Sequence, residues 1–121
     1  MIMNELEEIF DQEGQYIRFF IGKETIEDDF EGTTSLEYTN SLPIKALVSD
    51  LGMGKIQWSM PGITTDKAKE IIIESKHRNL FEQTHKIKID DEYYYGWKQN
   101  GKLQYKISGN YLTAYIYYKK A

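Results

Sequence analysis

The last third of the chain, Lys86 to Lys120, alternates short runs rich in tyrosine and β-branched residues with compact turn signals. The order is KIKI, Asp90-Asp91, EYYYGWK, Gln99-Asn100-Gly101, KLQYKI, Ser108-Gly109-Asn110 and YLTAYIYYKK. Asn-Gly between apolar runs favours a two-residue hairpin, because a type I′ turn places both central residues at positive φ. Alternation puts Tyr93, Tyr95 and Trp97 on one face of a strand and Tyr94 on the other. Such a sheet has a core on one side and amphipathic ring surface on the other. This region therefore constrains the fold to antiparallel β-structure, and its aromatic face suits an assembly part better than an enzyme.

A chain of 121 residues fits one domain, spanning 1–121, and buries roughly 65% of the surface its unfolded form exposes. It has no cysteine, so neither a disulfide framework nor a thiolate metal site is available. The start, MIMNELEEIF, lacks the basic and apolar regions of a signal peptide. No apolar run approaches the ~20 residues of a membrane helix, and a soluble, cytosolically made protein is expected. Residues 1–37 carry eleven acids against Arg18 and Lys23, whereas 38–121 carry thirteen bases against eight acids. The net charge of −4 thus hides an acidic head and a basic remainder. That asymmetry favours subunits stacked acidic on basic, or a basic face beside a charged partner. A solvated acidic loop and ordinary surface lysines are the plainer account.

Within 1–14, Leu6, Ile9 and Phe10 sit at helical spacing, with Asn4 and Glu7 placed as a capping box. QYIRFFI, residues 15–21, reads as a strand. Residues 23–40 hold many acids and little periodicity, and read as a long acidic loop or a ragged hairpin. The β-core is expected over 42–118. Pro43 suits the first residue or edge of a strand, Gly52-Met53-Gly54 interrupts it, and KIQWSM (55–60) shows a short apolar/polar alternation. Thr64 to Lys76 is ambiguous. A short helix over 65–69 followed by a strand over 70–75 accommodates the β-branched Ile71, Ile72 and Ile73; one helix to Ser75 is the alternative. Residues 77–84 form a polar connector with Leu80 and Phe81 tucked into the core. These elements predict a mainly β fold: a small antiparallel β-barrel of six or seven strands with one or two short helices.

The chemical motifs are weak. His77 and His85 lack converging ligands for zinc, which wants three or four. No serine lies in a G-x-S-x-G context. Gly52-Met53-Gly54-Lys55 lacks P-loop spacing, with Ile56 where a magnesium-binding hydroxyl would stand. Asp90, Asp91 and Glu92 could supply a carboxylate pair for glycoside hydrolysis, but aspartates have a sufficient backbone reason at a turn. No catalytic, cofactor or metal residue is assigned. Tyr93–Trp97 and Tyr111–Tyr118, interleaved with Lys98, Lys102, Lys106, Lys119 and Lys120, have the composition of a stacking platform for single-stranded nucleic acid. A protein–protein surface through Tyr93, Tyr95 and Trp97 is the stronger reading, because tyrosine and tryptophan are enriched in interface cores.

The succession PIKALVSDLGMGKIQW, PGITTDKAKEIII, KIKIDDEYYYGWK and YLTAYIYYKK, over residues 42–118, resembles the minor capsid and head-completion proteins of tailed phages, including head-closure proteins of the head–tail connector. The resemblance implies a non-enzymatic β-barrel that forms a ring beneath the portal and adaptor. It implies a monomer before assembly, made in the host cytoplasm and carried in the virion neck, with portal, adaptor and tail-completion proteins as partners and packaged DNA nearby. It also implies a loop between strands that projects toward the channel. Here that loop is Gly52 to Asp66, with Gly52, Gly54, Lys55, Trp58, Pro61 and Gly62 as interface or channel residues. An OB-like domain binding single-stranded nucleic acid is the alternative.

Overall fold

The computed structural model describes residues 2–28, 33–63, 65 and 67–119. In chain order it contains α1 (Ile2–Glu13), β1 (Gln15–Asp28), β2 (Thr33–Asp50), α2 (Met53–Ser59), β3 (Ala68–Glu74), a 3-10 turn (Ser75–His77), α3 (Arg78–Glu82), β4 (Thr84–Ile89), β5 (Glu92–Gly96), β6 (Lys98–Gln99), β7 (Lys102–Leu103), β8 (Tyr105–Ser108) and β9 (Tyr111–Tyr118). Six strands close into an antiparallel barrel. Around it the order is β1, β2, β3, β9, β5, β4 and back to β1. The mainly β barrel with short helices is therefore as expected from the sequence.

Period-two alternation builds the interior. Ile17 and Phe19 of β1, Ile44 and Ala46 of β2, Ile71 and Ile73 of β3, Ile87 and Ile89 of β4, Tyr94 of β5, and Leu112, Ala114 and Ile116 of β9 form one buried cluster. Most are β-branched or aromatic, shapes that pack well on a pleated surface. Phe81 of α3 joins them, its ring 5.9 Å from Phe19, with Leu80 packed alongside. The expected connector thus contains a helical turn that plugs the barrel.

The turns follow their chemistry. Asp90 and Asp91 (φ 50° and 66°) and Asn100 and Gly101 (φ 53° and 77°) pair positive φ values, as type I′ turns require. Gly109 takes φ 59° at the β8–β9 turn. Between β5 and β8 the chain makes an excursion, the β6–β7 hairpin, and returns to the same edge of β9. Gly96 pairs with Ile116 before the excursion and Tyr105 with Ala114 after it. The Gln104 amide donates to the Trp97 carbonyl at 3.0 Å and closes the hairpin's base. A Cβ at Gly96 would lie 2.4 Å from Leu103 Cδ1, so any larger residue there would displace the Leu103 side chain.

Four local expectations need correction. First, KIQWSM is helical in α2 rather than extended; Ile56 and Met60 are four apart and both buried, so helical periodicity wins over the short alternation. Second, Ala68 and Lys69 are extended, not helical, and strand continues to Glu74. Ile71 pairs with Val48 on one side and Ala114 on the other, which excludes one helix running to Ser75. Third, α1 begins at Ile2, so Asn4 lies within the helix rather than capping it. Fourth, 22–28 and 33–40 pair as a two-stranded ribbon, with register shifts at Ile21/Gly22 and Ile26/Asp28. This is the hairpin reading rather than the loop. The sequence there places β-formers such as Thr25, Ile26, Thr33 and Thr34 between the acids. Pro43 lies inside β2, before β3 joins its edge at Ala46, where a missing N–H is tolerated.

Candidate contact surface around the second helix

β9 has two apolar faces. Its outward Tyr115 and Tyr117, with Trp97 and Ile63, pack against Leu51, Ile56, Met60 and Ala68 in a second cluster outside the barrel. The segment 52–63 is thus seated on the wall; the rest of the predicted 52–66 loop includes residues 64 and 66, outside the described residues. The Leu51 amide donates to the Ala68 carbonyl at 3.0 Å, and Met60 N–H to Ile56 at 2.8 Å. Ile56 and Met60 are the anchors, 1% and 0% exposed.

The opposite side of α2 faces solvent. Trp58 is 88% exposed and Met53 61%, with Gly54, Lys55 and Gln57 exposed between them. A tryptophan this exposed contributes little to folding, and Met53, about 140° round the helix from it, is exposed separately in the first turn. The helix is also weak in itself. It has seven residues, no side-chain N-cap bond at Gly52, and a glycine at position 54; an interior glycine costs about 0.5–1 kcal/mol relative to alanine. No atom lies within 4 Å of where a Cβ would stand on Gly52 or Gly54, so close packing is not what calls for glycine there. Gly62 differs: its φ of +90° is left-handed, and it turns the chain after Pro61.

That turn brings two predicted sets of residues together. Pro61, Gly62 and Ile63 form one side of a cleft of about 340 Å³ whose other side includes His85, Tyr95, Trp97 and Tyr117. Tyr95 and Tyr117 rings lie 6.3 Å apart. Tyr93, on the same outward face, instead joins Phe20 (5.8 Å) under Lys86, whose Nζ is 4.2 Å from the Tyr93 ring centre. Gly52, Gly54, Lys55 and Trp58 lie on or beside α2, apart from the cleft lining. Met53 was not singled out from the sequence, and Tyr115 and Tyr117, within the Tyr111–Tyr118 run, are half-buried against the second cluster. Met53 and Trp58 lie in a helix that a strand reading does not show, and the tyrosines become its seat only once β9 is placed between two clusters.

Ionisable groups are spread over the barrel. Among the described residues no three His, Asp or Glu side chains converge as a metal site. His77 lies in the 3-10 turn, where burial and then Lys76 push its imidazole below the ordinary 6.5. Tyr94 carries a buried hydroxyl without a hydrogen-bond partner, and burial raises its phenol above the usual range. Lys69 stands over the Tyr94 ring at 5.6 Å and pairs with Asp50 at the rim. The hydrogen bond and charge of Lys69 hold the Asp50 carboxyl below its ordinary 3.8. No family model, curated protein or solved structure matches this chain.

Proposed function

We propose that this chain is a non-enzymatic structural component of a tailed-phage particle, a head-closure protein of the head–tail connector. It assembles as a ring in the host cytoplasm and ends in the virion neck, touching portal or adaptor proteins and tail-completion proteins. The observation that carries this reading is Trp58, almost fully exposed on a short helix with little intrinsic stability. A contact element that reorders on meeting a partner needs this combination: apolar residues turned outward, and a backbone held by two anchors only. The order of elements over residues 42–118 adds the resemblance to head-completion proteins.

The test replaces Met53 and Trp58 together by serine, leaving Ile56 and Met60 in place. In a phage carrying the variant as its only copy, the expected result is filled heads that leak DNA or fail to join tails, with the purified protein as stable as before. Normal infectivity would remove α2 from the mechanism. A second reading, an OB-like module for single-stranded nucleic acid, draws on Lys86 over the Phe20 and Tyr93 rings. It predicts micromolar, steeply salt-dependent oligonucleotide binding in a filter assay.

A further inference from the structure

The barrel wall carries an open edge. β5 pairs with β4 on one side and β9 on the other, but β8, which continues the line of β5 after the hairpin excursion, pairs with β9 alone. The turn at Gly109-Asn110 joins Ser108 and Tyr111 as the flanking pair. In a two-residue hairpin that pair is hydrogen-bonded, so bonding alternates from there and Tyr105 and Ile107 direct their N–H and C=O groups away from β9. No strand among the described residues pairs with that side. Ile107 stands opposite Leu112 and so shares the core-facing side, yet it is 42% exposed while Leu112 is fully buried.

The space beside it has definite walls. Ser75, Lys76, Arg78 and Asn79 line a cleft of about 260 Å³ with Ile107. The Ser75 amide donates to the Asn110 carbonyl at 2.8 Å, and its hydroxyl to Gly109 at 3.3 Å. These bonds tie the 3-10 turn to the end of β8 and hold Arg78, and Lys76 with its partner Glu74 at 3.8 Å, next to the open edge. Lys106 on β8 adds a third exposed cation.

The same chain carries the complement. Beyond Ile21, β1 pairs only with β2 among the described residues, because β4 stops at Thr84. The outer edge of 22–28 is thus an unpaired strand edge carrying Glu24, Glu27 and Asp28 against Lys23. Unpaired edges seek partners, and charge selects which. We propose that the 22–28 edge of one copy adds to the Tyr105–Ser108 edge of a second copy, bringing an acidic segment beside Lys76 and Arg78. The contact is head-to-tail: each copy offers one ribbon and one open edge. Such heterologous contacts generate rings when the rotation closes. The inference rests on the ring reading above and supplies its interface.

The native chain has no cysteine, so disulfide trapping is clean. Ile107→Cys is combined in turn with Glu24→Cys, Thr25→Cys and Ile26→Cys, and each full-length protein is oxidised at high concentration. The expected result is a ladder of covalent dimers and higher species, strong at alternate ribbon positions and weak between them, since alternate side chains share a face. Lys76→Glu with Arg78→Glu should cut trapping at least tenfold, and raised salt should weaken it. Absence of a ladder, equal trapping at all three positions, or indifference to the charge reversal would each overturn the proposal. The Met53 and Trp58 experiment touches neither edge, so the phage-connector reading and this interface can fail separately.

Discussion

The two faces of β9 are built from one strand and differ in kind. Inside, Leu112, Ala114 and Ile116 meet side chains from five other strands and from α3, and nothing in that cluster is more than 6% exposed. Outside, Tyr115 and Tyr117 are covered by a seven-residue helix held by Ile56 and Met60, whose other face carries Trp58 into solvent. The inner face is closed by topology and tolerates little change. The outer face is covered by a local element that supplies no strand to the barrel. The contrast separates residues that make the fold from residues free to make contacts.

The largest effect should come from the inner face. Ile71→Ala, at the centre of β3, is expected to lose about 2–5 kcal/mol of unfolding free energy, read by urea denaturation. Ile56→Ala removes the same atoms from the outer cluster, where α2 can settle. Its cost should fall at or below the low end, about 2 kcal/mol, with faster amide exchange confined to 52–63. Equal losses at the two sites would make α2 part of the cooperative core and break the comparison.

Tyr94→Phe probes a buried hydroxyl on the inner face that has no hydrogen-bond partner among the described residues. A buried hydroxyl without a partner carries a desolvation cost of about 1–3 kcal/mol, so its removal should raise stability by about 1 kcal/mol. A loss instead would mean that the hydroxyl is satisfied in solution. The smallest effect lies at the rim. The Asp50 carboxyl is held below its ordinary 3.8 by Lys69, so its contribution to stability is fully present above that value and is lost as pH falls through its lower folded-state pKa. Asp50 is highly exposed, which keeps the effect small. Lys69→Met should flatten the acid limb of a stability-versus-pH curve below pH 4, and an unchanged limb would remove the pair.

Much of the barrel was legible because strands carry their own signature. Tyr94 inward with Tyr93 and Tyr95 outward follows from alternation alone, and the turns at Asp90-Asp91 and Asn100-Gly101 follow from the residues that accept positive φ. α2 was not legible. Over six residues the pattern of Ile56, Trp58 and Met60 fits a period of two as well as a helix, and the deciding fact is the presence of Tyr115 and Tyr117 beneath it. The ribbon was obscured for another reason: its many acids and weak alternation read as a solvated loop.

Backbone chemistry and side-chain shape, which act over a few neighbouring residues, were sufficient to specify the strands, the hairpin turns and the inward set of aliphatic residues. Closure of β9 onto both β3 and β5, the seat of α2, the meeting of Pro61-Gly62 with Tyr95 and Trp97, and the unpaired edge of β8 arise only when segments far apart in the chain compete for the same wall. That competition is settled by packing and hydrogen bonding across the whole barrel, and no window of sequence contains it.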